Sequence, residues 1–262
     1  MVVTELWQEL KAASFEPKDF ELAFGEHGKM DAIEIPSKGM SALLRGFVDR
    51  VDIWEHNGQH YFRVVDYKTG KKDFDYCDVF NGVGLQMLLY LFALEQNGDQ
   101  IVGEHGIAAG VQYFPARAPL ISADGRLEAE QAEILRQKQF KRSGLLLSDE
   151  AVLEAMDPDE AMTRLCCTKK RDGSISGDLA DRQQLKMLRE YIFSYLGSMV
   201  DDIASGNVTP NPYTRGTSHN ACTFCPYGSI CHKEQVEGRR NYKAMDAASF
   251  WDGVSKEVQR ND

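Results

Sequence analysis

The chain has 262 residues, enough for one large domain or a domain with appendages. Its content, 43% hydrophobic and 27% charged, is ordinary for a soluble globular protein, no apolar run is long enough to span a membrane, and Met1-Val2-Val3-Thr4-Glu5-Leu6-Trp7 is not a signal peptide, so the expected compartment is the cytoplasm. A formal net charge of −10 argues against a generic nucleic-acid coat protein, and the 6 cysteines of a cytoplasmic chain are not read as disulfides.

In chain order, residues 1–14 are expected to be helical, with Leu6, Trp7, Leu10 and Ala13 at helical spacing. Segments 18–24 and 31–36 read as short strands. Two longer strands, 43–55 and 60–68, flank Glu55-His56-Asn57-Gly58-Gln59-His60, whose Asn-Gly is a strong hairpin signal. A helix is expected over about 78–96, starting late because of Gly82 and Gly84 and stopping at Asn97-Gly98. Segment 106–114 reads as a buried strand. Pro115 and Pro119 then open a loop, 127–140 is a polar helix, and a short helix follows Ser148, which can cap it with Asp149 and Glu150 in the first turn. A long amphipathic helix spans about 179–204, with Leu185, Leu188, Ile192, Tyr195 and Leu196 on one stripe. This order predicts an α/β fold with a mixed central sheet flanked by helices. The whole of 1–262 is expected to be a single domain: a core over about 15–115 and 176–210, a helical insertion over about 116–175, and a cysteine-rich tail at 211–242.

The chemistry concentrates on the two hairpin strands. Side chains at i and i+2 share a strand face, so Val64, Asp66 and Lys68 point one way and Val65 and Tyr67 the other. On the preceding strand Phe47, Asp49, Val51 and Ile53 share a face, with Val48, Arg50 and Asp52 opposite. A hairpin can bring Asp49 beside Asp66, and two carboxylates that close repel unless a cation lies between them. The plainer alternative is a surface ion pair between Asp66 and Lys68, but the apolar neighbours Phe62, Val64 and Val65 favour a charge with a partner or a metal.

Further along, Gln86 and Tyr90 lie one helical turn apart on one face of a largely apolar helix. They are read as hydrogen-bonding to something specific, against a plainer account in which Gln86 is partly exposed and Tyr90 is core. Lys68, Lys71 and Lys72, or Lys169-Lys170-Arg171, are candidate basic strips; the second run reads more simply as a solvated loop. Cys222-x2-Cys225-x5-Cys231 sits at a spacing that can wrap one metal centre, although a zinc site or iron–sulfur cluster wants four ligands and three are local. Adjacent Cys166 and Cys167 read as structural.

Taken in order, Gly46-x-x-Asp49-Arg50-x-Asp52, Asp66-Tyr67-Lys68-Thr69-Gly70 and Gln86-x3-Tyr90 resemble the motifs of RecB-family nucleases of the PD-(D/E)XK type. Pro212-Tyr213, Ala221-Cys222-Thr223-Phe224-Cys225-Pro226-Tyr227-x3-Cys231 and Gly144-Leu145-Leu146-Leu147-Ser148-Asp149-Glu150 are similar to the nuclease end of the AddB subunits of bacterial AddAB helicase–nucleases. The resemblance runs from about Phe15 to about Tyr242. It implies a restriction-endonuclease-like core in which Mg²⁺ or Mn²⁺ is held by Asp49, Asp66 and the Tyr67 backbone carbonyl. Lys68 would stand at the attacking water, and Gln86 and Tyr90 at the DNA backbone or behind the site. It also implies single-stranded DNA from unwound duplex as substrate, an AddA-like partner subunit, no membrane, and a 4Fe-4S cluster on Cys222, Cys225, Cys231 and a fourth cysteine. The family's fourth cysteine, and a histidine on the helix before the core, would fall before residue 1. The chain is therefore expected to be a C-terminal fragment with an incomplete cluster, unless His219, His232, Cys77, Cys166 or Cys167 substitutes. Two rival readings remain: a stand-alone RecB-like exonuclease similar to CRISPR-associated nucleases, and a nuclease-like scaffold that binds without cutting.

Overall fold

The computed structural model describes residues 2–117, 120–123, 125–216, 219–223, 225–231 and 240–261; Pro119, Phe224 and His232, named above, lie outside the described residues. The chain begins with helix α1 (Val2–Ala12) and strand β1 (Glu16–Phe24). A small hairpin of β2 (Ile33–Pro36) and β3 (Ser41–Leu44) precedes the long hairpin of β4 (Gly46–His56) and β5 (Gln59–Lys68). Asn57 and Gly58 turn that hairpin with φ of 52° and 71°, the paired positive φ values that a two-residue primed turn requires.

The helix expected over 78–96 is two helices, α2 (Tyr76–Phe80) and α3 (Gln86–Asn97), separated across Gly82 and Gly84, both at positive φ. α3 stops at Asn97, but the left-handed cap falls later, at Gly103, after a further turn α4 (Asp99–Val102). Then come β6 (Gly106–Pro115), α5 (Ala129–Gln139), β7 (Ser143–Leu147) and α6 (Glu150–Met156). The cap of α6 is Asp149 rather than Ser148: the Asp149 carboxylate accepts from the Ala151 N–H at 3.1 Å. A hairpin of β8 (Cys167–Lys169) and β9 (Ile175–Gly177), a short β10 (Leu179–Ala180) and the long α7 (Arg182–Ala204) follow, α7 opening on an Asp181–Gln184 capping box. The tail carries β11 (Tyr213–Arg215), β12 (His219–Asn220), α8 (Gly228–Cys231), β13 (Arg240–Asn241) and α9 (Ala247–Asn261).

The central sheet is mixed, in the order β1-β4-β5-β6-β7-β10. β5 and β6 run parallel, joined through α2, α3 and α4, and the remaining neighbours are antiparallel except β7 and β10. β7 lies inside this sheet, so residues 143–147 of the segment expected as a helical insertion belong to the core. They read as a strand in hindsight: Leu145, Leu146 and Leu147 are fully buried in the sheet. The middle of α3, Met87 to Leu94, is apolar all round because it is buried all round. Arg189 of α7 reaches Glu95 of α3 at 3.1 Å and ties the two helices together. α9 is an element that the sequence pattern did not reveal. Phe250 and Val254, four apart and both fully buried, form its inner face, and Asp246 accepts from the Ser249 N–H at its start.

α1 departs from its expected stripe. The buried residues of α1 are Glu5 and Glu9, while Trp7 is 58% exposed. The reason lies beneath the helix, where Arg50 and Arg63 are fully buried on the sheet and Arg142 nearly so. Glu9 meets Arg50 at 3.1 Å and Arg63 at 3.4 Å, and also pairs with Arg142; Glu5 meets Arg142 at 3.0 Å and Arg164 at 3.1 Å. Asp52 accepts from Arg63 and lies 2.8 Å from Arg50 Nε. α1 is thus docked by charge, not by an apolar stripe.

Candidate active site

The alternation of β4 and β5 sorts their side chains as expected. Arg50, Asp52, Arg63 and Tyr67 enter the buried ionic face, and Arg50 donates to the Tyr67 hydroxyl at 2.8 Å. Asp66 and Lys68 share the other face, with Lys68 Nζ 2.6 Å from Asp66 Oδ2. β4 pairs with β5 as far as Arg50↔Val65. One residue further on, the Tyr67 N–H donates to the Asp49 carboxylate at 2.9 Å. Asp49 thus sits where the two strands part, bonded to the residue between Asp66 and Lys68.

Burial raises the pKa of Asp66, and the negative charge of Asp49 raises it further, while Lys68 and Lys72 pull it down. The ion pair considered from sequence exists: Asp66 Oδ2 lies 2.6 Å from the Lys68 ammonium, which offsets part of the cost of burying the acid. Two carboxylates close enough to perturb each other form an oxygen-rich donor set that fits a hard divalent cation. Among the described residues no three His, Cys, Asp or Glu side chains come together as a metal-holding group, so a third protein donor here would be a backbone carbonyl or a neutral side-chain oxygen. The Tyr67 peptide, already bonded to Asp49, is the adjacent candidate.

Gln86 is exposed and Tyr90 is buried, and Gln86 Nε2 donates to the Tyr90 hydroxyl at 2.9 Å. Tyr90 stacks on Phe24 of β1 with ring centroids 5.3 Å apart. Its hydroxyl lies against Gly46, where an added Cβ would fall 2.3 Å from it. Gly46 is therefore the residue that lets Tyr90 approach the start of β4, three residues before Asp49.

Tyr113 was not singled out by the sequence pattern. It faces Asp66 in register on β6, and burial together with the Asp66 charge pushes its pKa up to about 12. Its position at the end of the strand parallel to β5 was the available signal. Beyond it lies a cleft of about 380 Å³ lined by Lys68, Lys71, Lys72, Tyr113, Arg117, Lys138 and Lys141, among others. Of the two basic runs considered from sequence, the first lines this cleft. In the second, Lys169 is bonded to Glu150 and Glu154 on α6.

The cysteine-rich tail is held on α2. Tyr213 donates to Asp78, and Arg215 pairs with Asp75 at 2.8 Å. Cys222 and Cys231 are half-buried and Cys225 is exposed in the segment between β12 and β13. Of the proposed substitutes, Cys77 donates to the Lys243 carbonyl at 3.0 Å. Cys166 and Cys167 are buried at the start of β8, where burial pushes both thiols up, Cys167 to about 11.

Two acids and a lysine lie where the hairpin strands of a mixed sheet part, and a family model for the PD-(D/E)XK nuclease superfamily matches residues 1–232. The chain belongs to that superfamily. It is similar to the B subunit of the ATP-dependent helicase/deoxyribonuclease of Acetivibrio thermocellus, at 34% identity over 254 residues, and to that of Clostridium kluyveri, at 32% over 261 residues. The corresponding protein of Oceanobacillus iheyensis is 34% identical over 249 residues. These matches cover 94%, 96% and 91% of this chain but 22%, 23% and 21% of the relatives, so the chain spans about a fifth of the length of the curated relatives it matches.

Proposed function

We propose that the chain is the divalent-metal-dependent deoxyribonuclease domain of an AddB-like helicase–nuclease subunit, cutting single strands from unwound duplex during double-strand break repair and recombination. The observation that carries this reading is the convergence of Asp49, Asp66 and Lys68 where β4 and β5 part. Asp49, Asp66 and the Tyr67 carbonyl would hold Mg²⁺ or Mn²⁺. Such an ion, when bound, polarises a phosphate oxygen and acidifies a water. Lys68 holds its ammonium beside Asp66, where it can stabilise negative charge on the phosphate and orient the attacking water. Gln86 and Tyr90 act behind the site, bracing the start of β4 at Gly46.

The relatives are each named as one subunit of a helicase/deoxyribonuclease, which supports a partner helicase–nuclease subunit of the AddA kind and a cytoplasmic setting. No described helix is long and apolar enough to cross a membrane. Cys222, Cys225 and Cys231 are proposed as three of the four thiolate ligands of a 4Fe-4S cluster.

The test is Asp66→Ala, assayed with labelled single-stranded DNA in Mg²⁺ and in Mn²⁺. Cleavage should fall to background while circular dichroism shows an unchanged fold. Cleavage at the wild-type rate by the purified variant would sink the assignment. A wild-type chain that binds the strand and never cuts it would favour the non-cutting scaffold.

A further inference from the structure

The chain carries a net charge of −10, yet the cleft beside Asp66 is lined by Lys68, Lys71, Lys72, Arg117, Lys138 and Lys141 against one acid, Asp73. Asp73 is taken up by Lys71 at 3.0 Å. Among the described residues no carboxylate pairs with Lys72, Arg117 or Lys138. Elsewhere on this acidic surface several lysines find acids (Lys29 meets Asp19, Lys169 meets Glu150 and Glu154, and Lys256 meets Asp252), and those without an acid partner, such as Lys18 and Lys170, are not among the residues lining the cleft. Unpaired cations gathered in one concavity repel one another, and a bound polyanion removes that cost.

The cleft is built by two parts of the chain. The loop after β5 supplies Lys71 and Lys72, and Lys68 at the end of β5 joins the cleft to Asp66, 2.6 Å from its ammonium. The end of α5 and the turn into β7 supply Lys138 and Lys141. α5 has no buried residue, and Lys138 stands exposed in its last turn. Tyr113 of β6, which faces Asp66, also lines the cleft.

We propose that this cleft is a track for the phosphodiester backbone of a single nucleic-acid strand, with Lys138 and Lys141 at its outer phosphates and Lys72 leading to Asp66. The track gives α5 a function: it holds the strand on one side of the scissile phosphate. It rests on the reading of Asp49, Asp66 and Lys68 as a nuclease site, but the two fail separately, because binding is measured without divalent metal and cleavage is not.

The experiment titrates the full chain against fluorescein-labelled 20-residue oligo(dT) in EDTA, by anisotropy, at several KCl concentrations. Lys138→Glu/Lys141→Glu should weaken binding at least about tenfold at low salt. It should also make the log–log salt dependence shallower by about 1.4, on the basis of about 0.7 for each phosphate no longer neutralised on a single strand. Lys138 and Lys141 are both exposed, so the fold should tolerate the change, as circular dichroism will show. The control, Lys18→Glu/Lys256→Glu, alters net charge equally at positions away from the cleft and should weaken binding less than about threefold. Equal loss in both double variants would mean that net charge alone governs binding, and would overturn the track. Equal affinity of the wild type for poly-glutamate would overturn it as well, since the cleft would then read charge without phosphate.

Discussion

Glu9 is the residue whose neutralisation should cost this fold most for the smallest change of shape. It is 4% exposed and lies among the buried guanidinium groups of Arg50, Arg63 and Arg142. Around it four carboxylates (Glu5, Glu9, Asp52, Asp157) face four guanidinium groups (Arg50, Arg63, Arg142, Arg164), so the buried cluster is neutral. Glu9→Gln keeps the outline but leaves one buried positive charge without its counterion, a change that typically costs about 3–5 kcal/mol. The titration of Glu9 gives a second route to the magnitude. Burial alone would raise its pKa, but Arg63, Arg142 and Arg50 outweigh burial and hold it at about 2, against an ordinary 4.5. That difference corresponds to about 3 kcal/mol of native-state stability. Because the folded pKa lies below the unfolded one, this stability is fully present above about pH 4.5 and is lost as pH falls toward about 2. Urea unfolding followed by circular dichroism at pH 7 should therefore show Glu9→Gln less stable by about 3 kcal/mol or more. The gap between variant and wild type should narrow between pH 4.5 and 2. A loss under about 1 kcal/mol at pH 7, or a gap that does not change with acid, would refute the reasoning.

Lys68→Ala should lower metal-dependent cleavage by ~10²–10³, the scale of removing one electrostatic stabiliser, with divalent-metal affinity by calorimetry retained because an ammonium is not a ligand. Loss of metal binding would instead make Lys68 a structural brace of Asp66. The chain purified in air should be nearly colourless, because three thiolates leave one iron of a four-iron cluster without a protein ligand and open to oxidation. A stable brown cluster on residues 1–262, by visible absorbance and iron content, would place the fourth ligand within them.

The hairpin of β4 and β5 was legible because two independent signals agree on it. Asn57-Gly58 fixes the turn, and period-two alternation then fixes which residues share a face with Asp66. α3 was legible from its apolar run. α1 was legible as a helix but not as to its inner face, since hydrophobic spacing pointed to Trp7 while the buried partners were Glu5 and Glu9. Sequence periodicity measures where apolar residues recur. It carries no information on whether a distant arginine, here Arg142, waits to neutralise a buried acid. The basic cleft was half legible for the same reason. Lys71 and Lys72 follow the motif in sequence, but Lys138 and Lys141 come from a segment some seventy residues on, brought alongside by the pairing of β7 with β6. β7 itself read as part of an insertion because its neighbours are helical, and its place in the sheet depends on a partner strand that local pattern does not name.

Tyr67 is where the two faces of the hairpin meet. Its N–H donates to Asp49 on the site face and its hydroxyl accepts from Arg50 on the ionic face. Arg50 in turn is held by Glu9 and Asp52, which hold Arg63. A well-packed apolar layer under the sheet would give similar or greater stability than a buried ionic cluster of this kind, so stability is a weak reason for the cluster. An apolar layer would offer no donor to the Tyr67 hydroxyl, however. The charged layer fixes the residue whose peptide meets Asp49 and lies between Asp66 and Lys68. The buried arginines and acids are thus best understood as the support that sets the geometry of the carboxylates above them, and Tyr67 is the link through which that support acts.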